Sequence, residues 1–208
     1  MKPLYLLADS QLLFRNELQS DLPALHSVWS YLETSDPLAA YIGASNGDAP
    51  EFYELFKAGM HRLGIQRCVG IASAFAAQDQ KALAQADLIL LAGGDPLLGW
   101  QVLQKTGMRQ LLEEKYREGA VLMGTSAGAI HLSWECFVPD QKSEIPMMQL
   151  APFTIDVHDE VNQWQTFRNN LNYSNNTHPA LGIASGSGIL YQPGTAWQQL
   201  GKAVERFR

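Results

Sequence analysis

A Gly-x-Ser-x-Gly segment follows an apolar run, with Ser126 at its centre. In a nucleophile elbow, a catalytic serine lies on a sharp turn between a buried strand and a helix. The small helix-forming residues after Ser126 fit this context. Gly124 and Gly128 would leave room for the neighbouring strand and helix. Ser126 Oγ would then project beside the start of a helix, whose amides favour a developing anion. We expect Ser126 to be a catalytic nucleophile and the Ala127 amide an oxyanion donor; a helix cap in a tight turn is the alternative.

A second glycine-rich corner, Gly93-Gly94-Asp95-Pro96, follows another apolar run. Without side chains, the backbone amides of such a corner can approach a bound oxygen closely. We expect Gly94 to supply the second oxyanion amide, and Asp95 is a candidate substrate-binding residue. Taken alone, the same residues are also typical of a simple turn.

A serine hydroxyl becomes a good nucleophile when an imidazole accepts its proton. His158, His131 and His178 are the candidates. We expect His131, one turn after Ser126 on the same helix, to point away from Oγ.

The surrounding sequence predicts the elements that hold these residues. Short apolar runs alternate with stretches of helical period, which favours an α/β fold with a mainly parallel sheet and helices on both faces. Ligands then bind at the carboxyl ends of the strands. The stretch 137–150 is irregular, and we interpret it as a surface loop or substrate lid. The predicted strands are Leu4 to Ala8, Ala39 to Gly43, Cys68 to Ala72, Leu88 to Ala92, Val121 to Gly124, Gly182 to Ala184 and Gly188 to Tyr191; the predicted helices are Glu51 to Leu63, Leu97 to Gln104 and Met108 to Arg117.

Composition narrows the function classes. The 208 residues carry a net charge of −6, which argues against a nucleic-acid-binding surface. The apolar run at the start of the sequence ends at Asp9 and is short for the hydrophobic region of a signal peptide. No apolar run is long enough to cross a bilayer. We expect one cytoplasmic domain over residues 1–208, with no membrane contact, metal or cofactor, and leave a homodimer open.

Several segments, in this order, resemble peptidase family S51, which comprises the aspartyl dipeptidases (peptidase E) and the cyanophycinases. They are Tyr41-Ile42-Gly43-Ala44-Ser45, Arg62-Leu63-Gly64, Ala92-Gly93-Gly94-Asp95, Gly124-Thr125-Ser126-Ala127-Gly128-Ala129 and Ile155-Asp156-Val157-His158. The resemblance implies a class I glutamine amidotransferase-like fold with a serine nucleophile. It further implies that Ser126 is the nucleophile, His158 the general base, and Gly94 with Ala127 the oxyanion donors.

Two positions depart from the family pattern. Ser185 stands where the family has the carboxylate that orients the histidine, and a hydroxyl cannot stabilise an imidazolium by charge. Asp156 and Asp159 are possible replacements, and Asp156 is preferred because residues two apart on a strand share a face. In the segment Asp159 to Arg168, where the family tends to carry arginines, only Arg168 is cationic, so we name Arg168 as a substrate-binding candidate and do not assume an acidic substrate side chain.

These observations predict a serine peptidase-like hydrolase that cleaves a small peptide or isopeptide through an acyl-enzyme on Ser126, with activity impaired if nothing replaces the triad acid. One alternative is a non-catalytic relative that binds a small ligand in the same pocket. Another is an α/β-hydrolase-type esterase with the chain order Ser126, Asp156 or Asp159, His178.

Overall fold

The fold is described from a computed structural model, which covers residues 1–16, 23–138, 143–173 and 178–207. Seven strands within these residues form one sheet. They are β1 (Leu4–Leu7), β2 (Leu38–Ile42), β3 (Arg67–Ile71), β4 (Leu88–Leu91), β5 (Val121–Thr125), β10 (Ser187–Tyr191) and β11 (Gln198–Gly201). Their order across the sheet is β11-β10-β1-β5-β4-β2-β3. The five strands from β1 to β3 in this order run parallel, and β10 and β11 continue the sheet antiparallel at one edge.

Alternate residues of the central strands enter two separate cores. Leu4 and Leu6 pack on one face of the sheet, whereas Tyr5 and Leu7 pack on the other. A strand covered on both faces exposes neither face to solvent, so the sequences of β1, β4 and β5 are continuous apolar runs with no polar alternation. The prediction of a mainly parallel α/β sheet is confirmed.

Helices cover both faces of the sheet. They are α1 (Gln11–Phe14), α2 (Pro50–Arg62), α3 (Ala77–Ala84), α4 (Pro96–Thr106), α5 (Met108–Glu118), α6 (Ala127–Leu132) and α7 (Gln165–Tyr173). Helices α1 and α2 contribute to the core that holds Tyr5, while α3, α4, α5 and α6 contribute to the core that holds Leu4. The predicted three layers are therefore present. No helix of the described ranges is long and apolar enough to span a membrane.

Two smaller sheets lie after α6 in the chain. A hairpin joins β6 (Glu135–Val138) to β7 (Ser143–Pro146), so part of the stretch interpreted as a loop or lid forms strands; residues 139–142 lie outside the described residues. The other sheet pairs β8 (Thr154–Val157) parallel with β9 (Ala180–Ile183), which also pairs with β12 (Val204–Arg206). His158 directly follows β8.

Candidate active site

Ser126 occupies the sharp turn between β5 and α6. Its backbone has φ 50° and ψ −115°, a conformation that costs free energy in a non-glycine residue. The turn is fixed because the Ser126 amide donates to the Leu7 carbonyl of the neighbouring strand at 2.9 Å. A Cβ at Gly128 would lie 2.0 Å from the Leu91 carbonyl oxygen, and one at Gly124 would lie 2.4 Å from the Gly128 backbone. Close packing therefore requires both glycines.

The Gly-Gly corner lies against this turn. A Cβ at Gly93 would be 3.1 Å from Ser126 Cβ, which puts the corner beside the serine side chain. Gly94 has φ 136°, and a Cβ there would lie 2.1 Å from the Ser45 carbonyl oxygen. Within the described ranges, the amides of Gly94 and Ala127 donate to no protein acceptor. Gly94 lines the cavity that Ser126 also lines, whereas Ala127, the first residue of α6, is fully buried.

His158 reaches the same cavity as Ser126 from the second sheet. The cavity has a volume of about 290 Å³, and its lining includes Ser126, His158, Gly93 and Gly94. The His158 side chain is exposed, and its Nδ1 lies 3.2 Å from Ser185 Oγ. Among the described residues, no hydrogen bond joins Ser126 Oγ to the imidazole. Ser126 and His158 thus line one cavity without a direct hydrogen bond between their side chains.

Behind Ser185 stands a carboxylate that the sequence reasoning missed. Glu160 Oε1 accepts a hydrogen bond from the Ser185 amide at 3.0 Å, while the buried Oε2 has no hydrogen-bond partner among the described residues. Burial favours the neutral acid, but the Ser185 hydroxyl and amide and the nearby His158 ring outweigh it and lower the pKa of Glu160. The signal available in the sequence was a carboxylate two residues after the histidine.

Asp156 does not take the predicted place beside His158. The expectation assumed an extended strand through both residues, but β8 ends at Val157 and His158 has φ 65°, which breaks the alternation of faces. Asp156 Oδ1 accepts from the Val157 amide at 2.8 Å. Burial raises the pKa of Asp156 to about 6, opposed by that hydrogen bond and reinforced by Asp159. Asp156 lines a different cavity, beside Cys136.

The two predicted substrate-binding residues also have other partners. Asp95 Oδ1 accepts from the amides of Leu97 and Leu98 at 2.8 and 3.1 Å, so it caps α4. Arg168 pairs with Glu205 at 2.7 Å and lines a separate surface cavity. Neither side chain lines the cavity of Ser126, and the prediction of these contacts is not supported.

The competing histidines lie elsewhere. His131 is buried, its Nε2 lies 2.7 Å from the Pro96 carbonyl oxygen, and burial lowers its pKa to about 4. It points away from the cavity, as expected. His178 packs against Trp134 with ring centroids 3.9 Å apart and does not line the cavity, and Asp159 Oδ2 accepts from the Phe167 amide. The esterase arrangement therefore has no support in this geometry.

The cavity of Ser126 is also lined by apolar side chains, which we call the apolar wall: Leu13, Tyr41, Phe52, Leu55 and Phe56. The three-to-four-residue spacing of Phe52, Leu55 and Phe56 predicts one apolar face on α2, yet Phe52 and Leu55 are 47% and 39% exposed. Phe56 is buried as that pattern predicts. The apolar stripe on α2 therefore divides between the core and the mouth of the cavity.

Comparisons with known proteins agree with this fold. In structure the chain is similar to a peptidase from an acI-B1 Actinobacterium, with TM-score 0.74 and 19% identity over 99% of this chain and 90% of that one. It is also similar to a peptidase E-type protein from Listeria monocytogenes EGD-e, with TM-score 0.71 and 18% identity over 98% of this chain and 100% of that one. At these identities the likeness concerns the fold.

Sequence comparison finds one relative that matches part of the chain and one family that matches most of it. The chain is 32% identical over 98 residues to the pyridoxal 5'-phosphate synthase subunit PdxT of Pyrococcus furiosus, covering 46% of this chain and 47% of that protein. It thus spans about half the length of this curated relative. The model of peptidase family S51 matches residues 4–196, and the chain therefore belongs to peptidase family S51.

Proposed function

We propose that the protein is a serine-type peptidase that cleaves a small peptide or isopeptide through an acyl-enzyme on Ser126. Membership of family S51 supports a peptidase-type hydrolase. The observation that carries the serine assignment is the strained turn at Ser126, which faces the same cavity as His158 and the Gly93-Gly94 corner. Strain of this kind is retained at functional sites, where it positions a side chain.

In the proposed reaction, Ser126 Oγ attacks the scissile carbonyl carbon while an imidazole nitrogen of His158 takes the hydroxyl proton. In this proposal the amides of Gly94 and Ala127 donate to the resulting oxyanion, and the lack of a protein acceptor for either amide within the described ranges supports that role. The imidazolium then gives its proton to the leaving amine as the C–N bond breaks. Water then attacks the ester carbon while His158 takes one of its protons; the bond from the acyl carbon to Ser126 Oγ breaks, the imidazolium returns that proton to Oγ, and the acyl group leaves as a carboxylic acid.

Ser185 and Glu160 together take the place of the triad acid in this proposal. Ser185 Oγ at 3.2 Å holds Nδ1 of the ring, and Glu160 supplies the negative charge behind the serine. Because Ser185 lies between the Glu160 carboxylate and the ring, this charge stabilises the imidazolium less than a directly bound carboxylate would. We therefore expect slower turnover than from a triad whose acid contacts the ring.

A second function, small-ligand binding without turnover, is favoured by one observation. His158 Nδ1 meets a neutral hydroxyl, and among the described residues Ser126 Oγ has no hydrogen bond to the ring. In that case the cavity holds a ligand, but Ser126 is not activated.

Labelling with a fluorophosphonate separates the two functions. A hydroxyl activated by His158 displaces fluoride from phosphorus, so intact-mass measurement should show one adduct on the native chain, mapped to Ser126. Ser126→Ala should show none, and Ser10→Ala, which changes another serine that lines the cavity, should label normally. Absence of an adduct on the native chain, or an equal adduct on Ser126→Ala, would contradict the serine peptidase.

A further inference from the structure

The apolar wall of the cavity exposes hydrophobic surface that the proposed chemistry of Ser126 and His158 does not require. Phe52 and Leu55 on α2 keep 47% and 39% of their surface exposed, although α2 has the buried positions Phe56 and Met60 to dock it on the sheet. Exposed apolar side chains that line a concave surface mark a binding site. The hydroxyl of Tyr41 accepts from Asn46 Nδ2 at 2.9 Å, so the tyrosine contributes its ring to the wall.

The charges around the cavity exclude one class of ligand side chain. Among the described residues, the lining includes neither Lys nor Arg. The acidic side chain in the lining is Asp9, which is fixed by hydrogen bonds from the Gly186 amide and the Gln11 amide. Arg15 is the cation closest in sequence to Asp9, and its guanidinium is engaged with the Gly186 carbonyl and Gln11 Oε1. A carboxylate entering this cavity would meet Asp9, and apart from the His158 imidazole, which the proposed reaction uses as its base, the lining residues offer it no cationic side chain.

The volume limits the occupant further. A cavity of about 290 Å³ lies at the lower end of ligand pockets, which span roughly 300–1,000 Å³. It has room for one side chain and the adjoining peptide group, with the carbonyl at Ser126 and the side chain against Phe52 and Leu55. It does not fit a folded polypeptide.

From the wall, the charges and the volume, we propose that the site selects peptides whose acyl residue, the one that supplies the attacked carbonyl, carries a large uncharged apolar side chain. This inference rests on the proposed function for the bond that is cut. The inference adds two points to the proposed function. It identifies the apolar wall as the specificity pocket, and it names the class of side chain that fills this pocket.

Cleavage of three dipeptides tests the proposal directly. Phe-Gly carries the apolar side chain on the acyl residue, Gly-Phe carries it on the leaving residue, and Asp-Gly replaces it with a carboxylate. Because burial of an aromatic ring is favourable and that of an unpaired carboxylate is not, kcat/KM for Phe-Gly should exceed that of each other dipeptide by about tenfold or more. Equal or faster cleavage of Asp-Gly or Gly-Phe overturns the pocket assignment and leaves the peptidase standing.

Binding to Ser126→Ala keeps the test independent of catalysis. If none of the three dipeptides is cleaved, calorimetric titration of Ser126→Ala still reports on the pocket, and the fluorophosphonate labelling decides the proposed function separately. Phe-Gly should bind about tenfold more tightly than Asp-Gly. Equal affinities, or no detectable binding of Phe-Gly, overturn the proposal.

A positive charge placed in the apolar wall should weaken or abolish the preference for Phe-Gly over Asp-Gly. Leu55→Arg supplies the missing cation, so the ratio of Phe-Gly to Asp-Gly affinity or kcat/KM should fall about tenfold or more. Leu98→Arg is the matched control, because Leu98 is 44% exposed on α4 and does not line the cavity; its ratio should stay at the native value. Equal ratios in the two variants would contradict the assignment of the wall.

Discussion

The two halves of the candidate site are built in different ways. The Ser126 half is main chain: a strained turn and a Gly-Gly corner, both at the carboxyl ends of adjacent parallel strands. Backbone contacts fix it, as when a Cβ at Gly128 would lie 2.0 Å from the Leu91 carbonyl oxygen. The His158 half is a series of side chains on loops of the second sheet, in which Ser185 Oγ contacts the ring and Glu160 contacts the Ser185 amide.

This difference determines how each half responds to substitution. The Ser126 half shares its packing with the central sheet, so a change there affects folding as well as chemistry. In the His158 half, His158 is exposed, Ser185 and Glu160 are half-buried, and a few hydrogen bonds hold them, so a change there should affect the electrostatics of the ring and leave the fold intact.

The largest expected effect is Gly128→Ala, in the Ser126 half. The new methyl group would overlap the Leu91 carbonyl, so β4 and α6 must separate, and we expect a loss of about 3 kcal/mol or more in the free energy of unfolding. Gly47→Ala is the control: Gly47 has φ 71° and a Cβ there would have no neighbour within 4 Å, so this variant should lose only about 1 kcal/mol. Urea unfolding measures both, and similar losses would show that close packing at Gly128 does not fix the Ser126 half.

The same difference explains what the sequence predicted. Local sequence patterns predict the strands of the parallel sheet, the turn at Ser126 and the corner at Gly94. Apolar runs and glycines indicate these structures within a few residues of the chain. The pairing of His158 with Ser185 joins residues 27 apart in the chain, and it was found through a family resemblance rather than from spacing.

The missed features depend on tertiary geometry. Asp156 was preferred because a continuous strand was assumed, and the positive φ of His158 ends that strand. Periodicity on α2 could not show that Phe52 and Leu55 face a cavity rather than the core, since both environments select apolar side chains. Helix caps such as Asp95 resemble ligand-binding carboxylates until their amide partners are known.

A smaller effect, confined to turnover, is expected for Glu160→Gln in the His158 half. The amide oxygen can still accept from the Ser185 amide, so the loop should keep its structure, but the charge behind the imidazolium is lost. We expect kcat to fall about 10- to 100-fold with KM and thermal stability little changed. The control Glu114→Gln removes the same charge from an exposed position on α5 and should leave kcat unchanged. An equal kcat in the two variants would show that Glu160 does not assist His158.

The smallest effect is expected for Asp156→Asn, which tests whether the half that contains His158 includes a second carboxylate. The pKa of Asp156 is raised from 3.8 to about 6 in the folded protein, so the folded state holds its proton more tightly than the unfolded state does. Stability therefore declines as pH rises from about 4 through 6, and the neutral amide should restore about 1 to 2 kcal/mol at pH 8 and almost nothing at pH 4. Urea unfolding at the two pH values measures this difference. Because Asp156 lines a different cavity, kcat/KM should stay within about twofold of the native value; a tenfold loss would mean that Asp156 orients His158 after all and that Glu160 does not act alone.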